Sequence, residues 1–68
     1  VNAAEVKLLL RLTGWSDEQL AVRMDTSART VFNWRKKGCS RKHFSKGLRR
    51  LLEQAKRQDE IRKLQRSA

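Results

Sequence analysis

The 68-residue sequence predicts a small all-α domain of four helices, the last of them extended and basic. Three observations carry this expectation. Apolar residues recur at three- and four-residue spacing along most of the chain, capping residues stand in front of these runs, and no proline interrupts them. A chain this short lies near the lower limit for a self-sufficient core, so all four helices must share one.

The first helix is expected from about Ala3 to Leu12. Asn2 and Glu5 stand at capping-box spacing in front of it, and Thr13-Gly14 closes it. Val6, Leu9 and Leu10 fall on its core face, with Leu8 and Leu12 covering a second side. The second helix, about 17 to 24, is specified four ways. Ser16 caps it, Gln19 reaches back to complete a capping box, Trp15 and Leu20 have the spacing of a hydrophobic staple, and Asp17 and Glu18 suit the positive end of the helix dipole. Leu20, Ala21 and Met24 form its apolar face, and Asp25-Thr26-Ser27 stops it, because short polar side chains compete for backbone hydrogen bonds.

A third helix, 28 to 37, restarts from Ser27 as cap. Thr26 and Val31 repeat the staple spacing, Val31 and Trp34 make an inward i, i+3 pair, and Gly38 supplies a left-handed residue at its end. Two helices joined this tightly cross at a steep angle and leave the outer face of the second free to project.

The segment Trp15 to Gly38, WSDEQLAVRMDTSARTVFNWRKKG, thus has the layout of a helix-turn-helix and resembles the phage Cro/repressor-like (Xre) family. Ala21 matches the family's small residue where the two helices approach, and Leu20, Met24, Val31 and Trp34 match its inward apolar positions. The resemblance covers about a third of the chain. It departs from the family at Asp25, where glycine is usual, and at Thr26, which is less apolar than the norm. Aspartate tolerates the left-handed conformation better than most residues, so the turn survives at some cost in strain.

The resemblance implies sequence-specific binding of double-stranded DNA through the major groove, most simply by a small prokaryotic or phage transcriptional regulator acting as a two-fold dimer. TVFNWRKKG is also similar to the DNA-recognition modules of transposases and phage packaging proteins of terminase type, in which case Val1 marks a cut from a larger machine. A third class, an RNA-binding or membrane-surface basic peptide, follows from charge alone.

Ala28, Arg29, Phe32, Asn33 and Lys36 remain around the outer side of the third helix, the expected base-reading face. Arg29 can fork onto guanine O6 and N7, Asn33 can pair with adenine N6 and N7, and Ala28 and Phe32 offer apolar contact to thymine methyls. An alternative half-buries Phe32 against the fourth helix. Ser16, Gln19, Ser27, Thr30, Arg35, Lys37, Arg41 and Lys42 are expected to hold phosphates, with Gln19 divided between that task and its cap.

After a basic loop from Gly38 to His43, the fourth helix is expected from Arg41 or Ser45 to beyond Arg57. Phe44, Leu48, Leu51, Leu52 and Ala55 share one face, and Gly47 inside the run blurs its start. The helix-turn-helix domain is placed at 1–58 and a basic helical tail at 59–68. Ile61 and Leu64 fall on the opposite side of the helix from Leu48 and Leu52. The tail therefore frays, bends back near Gln58-Asp59, or continues straight and offers the pair to a second copy as a homodimer contact.

The formal charge is +10, of which residues 39–68 supply +7, an electrostatic footprint for a polyanion. No run approaches the ~18 apolar residues of a membrane span and no signal-peptide pattern opens the chain, so a cytoplasmic protein is expected. Cys39 is the single cysteine and has only His43 nearby, a C-x3-H spacing without a second pair, so the two read as a loop thiol and a loop imidazole and not as a zinc site. With no paired carboxylates, nucleophile–histidine set or glycine-rich phosphate loop, no enzyme activity, cofactor or small-molecule ligand is expected.

Overall fold

The computed structural model describes residues 1–67, and the side chains of residues 1–65. Four helices follow one another: α1 (Ala3–Thr13), α2 (Asp17–Arg23), α3 (Ala28–Lys37) and α4 (Lys42–Ser67), with no strand among the described residues. α1 packs against both α3 and α4, and α2 packs against α3. The core accordingly sits around α1, where Val6 and Leu9 meet Leu20 of α2, Val31 of α3 and Leu48 of α4, all fully buried.

The local signals set the helix starts. Asn2 Oδ1 accepts from Glu5 N at 2.8 Å while Glu5 Oε1 accepts from Asn2 N at 3.1 Å, and Ser16 and Gln19 make the same reciprocal pair. Such pairs satisfy backbone donors that the first turn leaves free. α1 runs one residue beyond Leu12. Thr13 Oγ1 donates to Leu9 O at 2.8 Å, and Gly14 then ends the helix in the left-handed region at φ 72°. Asp25 adopts φ 54°, so the α2–α3 turn does have its left-handed residue without glycine.

Gly38 ends α3 differently from expectation. Its φ is 85°, but its ψ of 176° sends the chain on in an extended path instead of a left-handed cap. Cys39 N donates to Val1 O at 2.7 Å and Cys39 O accepts from Val1 N at 3.2 Å, a reciprocal backbone pair that ties the start of the chain to this loop. A Cβ at position 38 would lie 2.8 Å from Val1 O, so both conformation and close approach require glycine here.

Cys39 lies in the loop between α3 and α4, where it was expected, but its thiol is not on the surface. It is 5% exposed and belongs to the core, with Ser45 Oγ donating to its carbonyl at 3.2 Å. α4 starts at Lys42, next to the earlier of the two expected starts, so His43 belongs to the helix and not to the loop. His43 is exposed, its ring edge-on to Phe44. Gly47 does not weaken the helix start so much as admit a neighbour. A Cβ there would come within 2.9 Å of Met24 Cε.

α4 runs without a break past Gln58. This corrects the bend at Gln58-Asp59, one of the three arrangements considered for the tail. Ile61 and Leu64 are 53% and 70% exposed on the continuous helix. Ala68, the last residue of the expected tail, lies outside the described residues. Among the described residues no helix is long and apolar enough to cross a membrane.

Candidate nucleic-acid interface

The phase of α3 is set from its buried side. Val31 is fully buried and Trp34 nearly so, and the Trp34 ring rests against Phe44 of α4 at 5.1 Å between centroids. Ser27 Oγ accepts from Thr30 N at 3.3 Å and lies 2.9 Å from the Thr30 hydroxyl, which fixes the first turn. With those residues inside, Arg29, Phe32, Asn33 and Lys36 are exposed on the outer side, and Ala28 is half-buried at its edge. The five expected base-reading residues therefore lie on one helix, four of them open to solvent.

Phe32 is 41% exposed and is absent from the residues packed on the core. The alternative that seats it against α4 is thereby corrected. Its ring lies instead beneath two cations, Lys36 Nζ at 4.7 Å and Arg35 Cζ at 5.3 Å from the centroid, an arrangement that covers an exposed aromatic with favourable charge.

Arg35 was expected to hold a phosphate, but its Nη2 donates to Asp17 Oδ2 at 2.8 Å. The pair clasps the start of α2 to the last turn of α3, and both groups are partly shielded from water. Among the described residues Arg35 Nε is buried without a partner. The geometry makes Arg35 a positioning residue for α3 before anything else. Nothing local in the sequence signals this clasp, because the partners are 18 residues apart.

Gln19 spends its carbonyl on the cap, accepting from Ser16 N at 2.9 Å, and its amide nitrogen remains. Ser16, the N-cap of α2, and Gln19 within it stand exposed, and Gln19 shares a shallow groove with Val22, which is 80% exposed and was not singled out in the sequence. Lys37, Arg41 and Lys42 are exposed and form no ion pair among the described residues. A shallow groove brings Thr30, Asn33 and Arg41 together, and a second joins Asn33 and Lys37 with Ser40. Part of the expected phosphate set thus converges at the C-terminal end of α3, whereas Ser16 and Gln19 form a separate group on α2. Ser40 belongs to both grooves and escaped the sequence reading, since a lone serine in a basic loop carries no periodic or capping signal.

No group of three or more His, Cys, Asp or Glu side chains among the described residues forms a candidate metal site. Neither family models, curated proteins nor solved structures yield a match to this chain.

Proposed function

We propose that this chain binds duplex DNA sequence-specifically by laying the outer face of α3 in the major groove. The observation that carries the reading is the division of α3 itself. Val31 and Trp34 anchor one side in the core while Arg29, Phe32, Asn33 and Lys36 project from the other. A major groove ~12 Å wide admits one helix, and arginine and asparagine are the side chains that read guanine and adenine edges in bidentate fashion. The net charge of +10 supports the reading, since phosphate neutralisation supplies sequence-independent affinity.

The simplest employment is a small transcriptional regulator working in the cytoplasm, with Ile61 and Leu64 contributing to a weak contact with a second copy. Selection from a randomised duplex library at physiological salt tests both parts. A defined motif is expected, and a palindromic one if two copies bind together. Recovery of unrelated sequences at equal frequency would overturn the base-reading role of α3.

A further inference from the structure

We propose that the duplex contact continues from α3 onto the solvent face of the first half of α4, where Lys42, Lys46 and Arg49 hold the phosphates of flanking DNA. This rests on the reading of α3 just given and extends it to a surface outside the helix-turn-helix.

Two adjoining grooves carry the inference. The first is lined by Asn33, Lys37 and Ser40 with Val1, and the second by Ser40, Lys42, Lys46 and Arg49, again with Val1. Because Ser40 and Val1 belong to both, the surface runs unbroken from an outer residue of α3 to the second turn of α4 and beyond. Among the described residues no carboxylate lines either groove. Lys37, Lys42, Lys46 and Arg49 are exposed and make no ion pair among the described residues.

The spacing suits a phosphate strand. Lys42, Lys46 and Arg49 stand at i, i+4 and i+7, one stripe of the helix. At ~1.5 Å of rise per residue they span about 10 Å, the axial length of about three phosphates of one strand at ~3.4 Å each. Glu53, next on the same stripe, ends the run of positive charge and sets its length. A membrane surface fits less well. The apolar residues of this part of α4, Phe44, Leu48, Leu52 and Ala55, are turned toward the core, so the basic face has no apolar partner to insert between lipids.

The test compares the full chain with Lys46→Gln/Arg49→Gln and with Lys7→Gln/Arg11→Gln, which removes the same charge from exposed positions of α1 outside both grooves. Binding to a mixed-sequence duplex of ~30 base pairs is followed by fluorescence anisotropy across a salt series. The α4 pair is expected to lower the slope of log K against log salt by about 1.8, close to 0.9 per lost phosphate contact, while the α1 pair leaves it unchanged. On a duplex of ~10 base pairs, the length of one helical turn, the α4 pair and the parent are expected to converge. A slope unchanged by the α4 pair, or lowered equally by both pairs, would overturn the proposal. So would binding to phosphatidylglycerol vesicles in preference to duplex. The two levels separate cleanly. A parent that ignores duplex DNA removes the reading of α3 as well, whereas a parent that prefers its selected duplex and loses that preference through Arg29→Ala, while the α4 pair leaves the salt slope unchanged, removes the α4 track alone.

Discussion

α3 and the distal part of α4 both expose apolar side chains amid positive charge, yet they are held in different ways. α3 is anchored by Val31 and Trp34 on the face opposite Phe32, and the Asp17–Arg35 pair clasps it to α2. α4 beyond Ala55 has no fully buried side chain among the described residues, and Ile61 and Leu64 are 53% and 70% exposed. That stretch carries an i, i+4 ion pair, Lys63 to Asp59 at 3.2 Å, of a kind worth only about 0.3–0.5 kcal/mol. The lesson is that an exposed apolar residue gains its meaning from what fixes the backbone behind it. A rigidly backed face can hold the geometry that base reading demands, and a projecting helix can only offer area.

The largest expected effect strikes the anchor. Trp34→Ala removes an almost fully buried ring that also meets Phe44, and the loss is expected to be about 3–5 kcal/mol, most of the stability of so small a domain. Thermal unfolding followed by circular dichroism checks it. A variant that melts like its parent would show that α3 does not depend on its buried side, and the contrast with distal α4 would collapse.

Gly38→Ala attacks the same anchor through the backbone. The residue occupies φ 85° and ψ 176°, a region essentially reserved for glycine, and a Cβ would meet Val1 O at 2.8 Å. The backbone strain alone is expected to cost about 1–3 kcal/mol. Denaturant titration measures it. The Cys39 amide, which donates to Val1 O, should also lose hydrogen-exchange protection before the rest of the core does.

Arg29→Ala and Asn33→Ala leave the anchor intact and test what it holds. Each is expected to weaken binding to the selected duplex by about 1–3 kcal/mol and to relax preference at one base pair, while melting temperature stays near that of the parent. Equal losses on selected and random duplexes would reduce both residues to phosphate contacts.

Much of this arrangement is legible in the sequence because it is local. The Asn2/Glu5 and Ser16/Gln19 capping boxes, the Ser27 cap, the left-handed Asp25 and the buried faces of α1 and α3 depend on residues within a turn or two of each other. What escaped is what joins distant segments. The Val1–Cys39 pairing, the burial of Cys39, the fit of Met24 against Gly47 and the Asp17–Arg35 clasp all need the tertiary fold before their partners can meet. The outer residues of α3 were legible for a derivative reason. Once Val31 and Trp34 are assigned inward, helical geometry leaves Arg29, Phe32, Asn33 and Lys36 no other side.

The smallest expected change in stability belongs to the projecting helix. Ile61→Lys/Leu64→Lys replaces two exposed side chains that no core depends on, so the folded domain should retain its stability within about 0.5 kcal/mol. If the pair meets a second copy, the effect appears instead in association. Two apolar residues per chain make a small interface, and a parent that dimerises only at high concentration is the expected result. Analytical ultracentrifugation should then show a concentration-dependent mass for the parent and a monomer for the double variant, with weaker binding to a palindromic duplex but unchanged base preference. Identical monomers across the concentration range would leave the stripe without a role in assembly. A double variant that unfolds would show that distal α4 is supported by the core after all, and would erase the difference drawn here between the two helices.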